Sequence, residues 1–349
     1  MARIAAIAES FPGQYHSQAE MLEALKVLWR DTGADLNKLE RLHRNLRVRG
    51  RHLALPLEAY KPRPWGETNR LWIEFAEKLG AQVVVEALER AGLSPTDVDA
   101  LVFVSVTGIA TPSIDARLVN RIGLRSDIKR LPLFGLGCVA GASGLARSAD
   151  LMQGLDSGVV VLLSVELCSL TLQLEDSSPA NMIAAGLFGD GAAAVVLVDR
   201  DAASPGPSIL ATRSLLYPNT EHVMGWDISE RGFQLVLSPE IPALVRENLP
   251  GDVDRFLGDA GLRRSDISAW VAHTGGPKVL SSMEGALGLP RGTMDVSWER
   301  LAKVGNVSSA SVLQVLKHTT EKKRPDAGSY GLMLAMGPGF CAELILVQW

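Results

Sequence analysis

Residues 91–101, AGLSPTDVDAL, recur as residues 260–270, AGLRRSDISAW, displaced by 169 positions. Each copy follows a helical pattern and leads into an apolar strand, Leu101–Val106 in one case and Trp270–Ala272 in the other. Each strand runs on to Thr before Gly, at Thr107-Gly108 and Thr274-Gly275. Further along, Gly137-Cys138-Val139 has its counterpart in Gly305-Asn306-Val307, and small residues open the helix that follows each. Both copies close on a glycine turn feeding an apolar strand, FGDGAAAVVLV from Phe188 and MGPGFCAELILV from Met336. Four blocks in the same order mark a duplicated βα unit. Two such units bury their apolar faces best against each other, as a pseudo-twofold pair. A chain of 349 residues has room for both. The halves are expected to be residues 1–205 and 206–349, joined near the polar stretch DRDAASPGPS.

The duplication brings distant residues together. The apolar run Leu131–Phe134 reads as a buried strand aimed at Cys138, and helical spacing resumes after Cys138 until about Gly154. Gly135, Gly137 and Gly141 give room for a sharp turn and for a ligand to approach the backbone. A helix N-terminus carries unpaired N–H groups and partial positive charge, which favour thiolate over thiol. Cys138 is therefore mounted as a nucleophile, although a small cysteine packed in a core turn has the same local sequence. Pseudo-symmetry sets Asn306 at the matching helix start. His273 ends the strand Ile267–Ala272, the place where open α/β sheets carry functional groups. A histidine there also serves as an ordinary core residue; the flexible TGGPK loop behind it, ending in Lys278, favours a role at a site.

Composition removes other classes. Apolar residues make up 47% and charged residues 21%, as in a folded globular chain. A net charge of −4 gives no reason to expect nucleic acid. The longest strongly apolar stretch, Val159–Val165, is too short to span a bilayer. The N-terminus lacks the pattern of a signal peptide, so a cytoplasmic protein is expected. Three cysteines without metal-like spacing point to neither a disulfide framework nor a zinc site. Lys38–His52 carries six Lys or Arg. Such a run is either a solvated face or a grip on a phosphate-bearing ligand such as coenzyme A.

The segments GLGCVAGASG, FGDGAAAV, AHTGGPKVL, KVGNVSSASVL and MGPGF, in this order, resemble type III polyketide synthases of the chalcone and stilbene synthase family, in particular the bacterial branch. The resemblance spans essentially the whole chain. It implies an α/β fold, the thiolase-like duplicated αβαβα layered fold with pseudo-twofold related halves. By matching motif it implies Cys138 as acyl-accepting nucleophile, completed by His273 and Asn306. Phe188 matches one gatekeeper between a coenzyme A tunnel and the cavity, and Phe233 matches the second. Lys38 and Arg41 match residues that bind coenzyme A phosphates, and Lys278 joins them as a candidate; a third basic position reads Asn45 here. Thr111 stands where a methionine of the plant enzymes reaches into the partner's active site. Met336 lies in the turn that reads Gly-Phe-Gly-Pro-Gly in plants, and Val106 and Cys168 replace threonines tied to starter recognition and cyclisation. These departures point away from the plants' aromatic phenylpropanoid starter.

The implied chemistry needs no metal or redox cofactor, only coenzyme A thioesters as substrates. An imidazolium beside a helix N-terminus ionises Cys138 for attack on an acyl-CoA. Decarboxylation of malonyl-CoA puts charge on the thioester oxygen, which His and Asn N–H groups can hold. A homodimer is implied. Ala184, Ala185 and Gly186 with Cys168 leave room for an aliphatic tail, which favours a fatty acyl starter and an alkylpyrone or alkylresorcinol product. A ketoacyl-carrier-protein synthase of the initiation type shares the Cys-His-Asn set, and a non-catalytic acyl-CoA-binding protein or a cysteine hydrolase are the other readings. Cys341 is expected to be structural, and Asp190 to fix its turn.

Overall fold

The computed structural model describes residues 2–30, 33–155, 158–199, 206–323 and 325–349. The expected junction between the halves, at 200–205, lies outside the described residues. The strands are β1 (Ala2–Ser10), β2 (Gln14–Ser17), β3 (Gly50–Leu53), β4 (Ala100–Val104), β5 (Lys129–Leu133), β6 (Val160–Leu167), β7 (Asp190–Asp199), β8 (Ser208–Leu216), β9 (Met224–Ser229), β10 (Gly232–Leu237), β11 (Ile267–Ala272), β12 (Tyr330–Gly337) and β13 (Cys341–Gln348). The helices are α1 (Gln18–Trp29), α2 (Leu36–Asn45), α3 (Trp65–Ala91), α4 (Ile114–Ile122), α5 (Ala140–Met152), α6 (Pro179–Leu187), α7 (Ile241–Asp259), α8 (Pro277–Leu287), α9 (Asp295–Val304) and α10 (Ala310–His318).

Nine strands form one sheet in the order β11-β12-β13-β8-β1-β7-β6-β4-β5. Read outward from its middle, β1-β7-β6-β4 and β8-β13-β12-β11 are the same arrangement. In each, the first two pairings are antiparallel and the third is parallel. The sequence repeat is thus the order of the sheet. The two runs join where β1 meets β8, at Arg3 and Ser208.

Alternation along the strands builds the layers. In β6, Val160 and Leu162 face a central core, while Val161, Leu163 and Val165 face an outer one with Val83 and Val84 of α3. In β12, Met333 and Ala335 point inward, and Leu332 and Leu334 meet Leu280 and Met283 of α8. Strands buried on both faces must be apolar throughout, which is why these segments show no polar side. Helices α5 and α10 pack on strands of both halves. The layers therefore run α3 and α4, sheet, α5 and α10, sheet, α7 and α8. Where α5 crosses α10, a Cβ on Gly141 would lie 2.0 Å from the Ser309 carbonyl oxygen, so only glycine permits the contact.

Two local expectations change. β5 is an edge strand with Lys129, Arg130 and Pro132 exposed, not a buried one. Its apolar residues pack on one side only, because no strand lies beyond it among the described residues. KPRPWG, residues 61–66, reads as loop from its prolines and glycine, but α3 begins within it, at Trp65 with Pro64 as N-cap. A proline tolerates that position because the first N–H groups of a helix have no intrahelical partner.

Candidate active site

Cys138 sits in a 3-10 turn, Gly137–Val139, between the end of β5 and α5. Gly137 has φ +55°, and a Cβ there would strike Pro338 at 2.6 Å, so the turn is built on glycine. Its sulfur donates to Ser308 Oγ at 3.7 Å, and the Asn306 side chain also hydrogen-bonds it. Asn306 Oδ1 accepts from Ser308 N at 2.8 Å and Ser311 Oγ at 3.4 Å. Only a carbonyl oxygen can accept from that backbone N–H, which leaves the Asn306 amide N–H groups as the end free to donate. His273 follows β11, its backbone N–H tied to Leu334 O at 3.0 Å, and it is 2% exposed. Neither ring nitrogen has a hydrogen-bond partner among the described residues. Cys138, His273 and Asn306 line one cavity of about 490 Å³.

Burial pushes the Cys138 thiol up to about 12, with the Glu166 charge adding to it, and pushes the His273 imidazole down to about 4. Burial thus holds each group neutral, in place of the thiolate and imidazolium expected from the sequence. Glu166, on β6, is fully buried and was not singled out in the sequence. It accepts from Thr107 Oγ1 at 2.8 Å, Val106 N at 3.2 Å and the Ser309 hydroxyl. Burial raises its carboxyl. The signal was present: Glu166 is the one acid inside the apolar run of β6.

Beside the thiol cavity lies an apolar chamber of about 420 Å³, walled by α1, the segment after β6, and α6. Cys168, Phe188, Trp226 and Leu235 line both spaces, so the passage from one to the other would run along these four side chains. Of the small residues expected to leave room, Ala184 and Ala185 line the side chamber, whereas Gly186 lies against Leu46 and His43. Met336 and Val106 line the thiol cavity. Phe233 does not. Its ring packs against Trp65, Trp226 and Phe134 and lines a separate polar cleft of about 210 Å³. Leu235 is the β10 residue that reaches the passage, two positions along the same strand face. Thr111 is exposed after β4 and lines neither chamber. Lys278 and Asn45 sit at the rim of the thiol cavity. Lys38 and Arg41 lie on α2 outside it, two turns and one turn before Asn45, so all three follow one helix face outward. Asp190 accepts from Ala54 N, Ser169 N and the Ser169 hydroxyl, and fixes the turn after Phe188. Cys341 is half-buried, donating to Pro338 O at 3.1 Å. Among the described residues no cluster of His, Cys, Asp and Glu could hold a metal ion. No helix there is long and apolar enough to cross a membrane.

Residues 1–201 match the family model for the N-terminal domain of chalcone and stilbene synthases, and residues 209–349 that for the C-terminal domain. A 1,3,6,8-tetrahydroxynaphthalene synthase of Streptomyces peucetius subsp. caesius is 49% identical, with 99% of this chain and 93% of that protein aligned. A putative chalcone synthase of Bacillus subtilis (strain 168) is 36% identical, over 100% of this chain and 99% of that one. Among solved structures, 1,3,6,8-tetrahydroxynaphthalene synthase of Streptomyces coelicolor A3(2), described as a bacterial type III polyketide synthase, superposes with a TM-score of 0.94. It shares 30% identity and covers 99% of both chains.

Proposed function

Because this chain belongs to the chalcone and stilbene synthase family, and is a type III polyketide synthase acting on coenzyme A thioesters, we propose that it loads an acyl starter on Cys138 and extends it with malonyl-CoA. Sulfur attacks the thioester carbonyl as its proton passes to His273. The C–S bond to coenzyme A then breaks, and the departing thiolate takes that proton. In extension the carboxylate–Cα bond of malonyl-CoA breaks, CO2 leaves, and the electron pair becomes an enolate. The His273 and Asn306 N–H groups hold its oxygen. The enolate carbon attacks the Cys138 thioester carbonyl, the C–S bond to Cys138 breaks with release of its thiolate, and the lengthened chain is left on coenzyme A. Transfer of that chain back to Cys138, as in the loading step, allows repeated rounds before ring closure.

The side chamber carries the finer reading. An apolar space of about 420 Å³ reached past Cys168 and Phe188 supports a fatty acyl starter, hence an alkylpyrone or alkylresorcinol-type product. The test is a panel of acyl-CoAs with malonyl-CoA, products weighed by mass spectrometry. Ala184→Phe should exclude long starters and spare short ones, and equal use of long chains by that variant refutes the chamber's role. A second reading is favoured by the name of the 49% identical relative: a 1,3,6,8-tetrahydroxynaphthalene carries no alkyl tail, so a product of that kind needs no fatty acyl starter. Malonyl-CoA as sole substrate, turned over to an aromatic product, would establish that reading instead. On the same footing we take residues 1–205 and 206–349 as the two halves, the cytoplasm as location, and a homodimer. The unpaired edge of β5, with Phe134 and Ile109 exposed nearby, supports the last of these.

A further inference from the structure

Beneath the last turn of α6 lies a polar cluster that the chemistry above does not use. Arg51, on β3, is fully buried. Its Nη1 donates to Gly186 O at 2.6 Å and Gln18 Oε1 at 2.5 Å, and its Nη2 donates to Ala185 O. Gln18 Nε2 donates to the same Gly186 carbonyl at 3.1 Å. His43 Nε2 stands 3.2 Å from Met182 O, and since a carbonyl only accepts, the ring donates there. Burial, reinforced by the Arg51 charge, holds His43 down at about 4, so that ring is neutral. Burial brings Arg51 itself to about 10, still cationic at neutral pH. Its hydrogen-bond acceptors are carbonyls and one amide, with Asp190 acting only as a neighbouring charge. A helix C-terminus presents unpaired carbonyls and partial negative charge, so the guanidinium is matched to what it holds.

The next residues tie this helix end to the catalytic asparagine. Asn306 N donates to Leu187 O at 2.9 Å, and Gly189 N donates to Asn306 O at 2.9 Å. Phe188 and Asn306 thus pair as an isolated bridge between the halves. We propose that Arg51 is the positioning residue of Asn306. By fixing the Ala185 and Gly186 carbonyls it sets where Leu187 offers its own, and so where the Asn306 carboxamide enters the cavity. Cys138 rides on a different segment, the 137–139 turn. Loss of Arg51 should therefore damage the enolate step and spare acyl loading. This rests on the assignment of Asn306 as an enolate donor.

Arg51→Ala, Arg51→Lys and Asn306→Ala are compared with the wild type in two assays. One follows conversion of malonyl-CoA to acetyl-CoA, and the other follows the Cys138 acyl adduct by intact-protein mass. In Arg51→Ala decarboxylation should fall ~10- to 100-fold, as for an ångström-scale misplacement, while the adduct forms at a rate within ~3-fold. Millimolar guanidinium should restore decarboxylation to Arg51→Ala and not to Asn306→Ala, whereas urea restores neither. Arg51→Lys keeps the charge and loses the two-carbonyl fork, and should show the same split, less severely. That variant also decides the matter if Arg51→Ala does not fold. Should Asn306→Ala lose decarboxylation while folded Arg51 variants keep it, the positioning role is wrong and the Asn306 assignment stands. Asn306→Ala decarboxylating normally overturns both. Parallel loss of the two activities in the Arg51 variants, without rescue, makes Arg51 merely structural.

Discussion

Gly141→Ala tests whether the crossing of α5 and α10 sets the distance between nucleophile and donor. The new Cβ would lie 2.0 Å from the Ser309 carbonyl oxygen, which is backbone and cannot swing aside. Comfortable contact begins near ~3.4 Å, so the helices must part by ~1.4 Å. Ser309 is not free to follow, because its hydroxyl binds Glu166 and Ser164. Overpacking costs ~1–3 kcal/mol, and disturbing a hydrogen bond to a buried carboxylate adds ~1.5–3 kcal/mol. Replacing a helical glycine returns ~1 kcal/mol. The net expectation is ~1.5–5 kcal/mol of destabilisation from these ranges. Since Cys138 precedes α5 and Asn306 precedes α10, a shift of this size should also lower condensation by ~10²-fold. Gly285→Ala in α8 is the reference, for nothing lies within 4 Å of its Cβ position. It should stabilise by ~0.4–1 kcal/mol and leave activity alone. Urea denaturation and product yield are read for both. If Gly141→Ala matches Gly285→Ala in stability and still condenses, the crossing does not set the geometry.

Further outcomes follow from the placement of the site residues. Cys138→Ala should abolish product yet keep conversion of malonyl-CoA to acetyl-CoA, while Asn306→Ala keeps the acyl adduct and loses ~10²–10³ of decarboxylation. His273→Ala should impair both steps, and equal loss of decarboxylation in folded Cys138→Ala would refute this division. Replacing Lys38 and Arg41 together by Ala should raise KM for acyl-CoA ~10-fold with little change in kcat, as expected for lost phosphate contacts. An unchanged KM returns them to the solvent-facing side of α2. Sedimentation at micromolar concentration should find a dimer, and a monomer there would remove the proposed role of the β5 edge.

Much of the architecture could be read before any coordinates because the repeat is a pattern of backbone turns and apolar runs, both short-range features. β11 falls at Ile267–Ala272, as expected, and α1 at Gln18–Trp29, where Met21, Leu22, Leu25 and Leu28 recur at helical spacing. What failed depends on neighbours distant in sequence. β5 has the composition of a buried strand, yet nothing in Leu131–Phe134 says that no strand lies beyond it. Phe233 and Leu235 share one face of β10, and only the packing of Trp65, Trp226 and Phe134 decides which reaches the passage. The run from Lys38 to His52 reads as uniformly basic surface, but Arg41 and Arg44 are exposed and Arg51 is fully buried. Charge alone carries no mark of which cation has found carbonyls to hold.

Cys138, His273 and Asn306 all belong to the repeated part of the fold, whereas the chamber walls, Phe188 apart, do not. Those walls come from three excursions: the stretch after β1 from α1 to Tyr60, the β9–β10 hairpin after β8, and the stretch from Cys168 through α6. None of the three supplies a strand to the nine-stranded sheet. On the proposed assignments, reactivity and selectivity are in this sense written on separate stretches of chain. An engineer could exchange an excursion between relatives to change what is accepted without retuning the thiol. Drift within those stretches likewise offers a lineage new products at little risk to its chemistry. The Arg51 clasp marks the boundary of that freedom, because a graft that replaced α6 without its guanidinium would carry altered selectivity and a misplaced asparagine together.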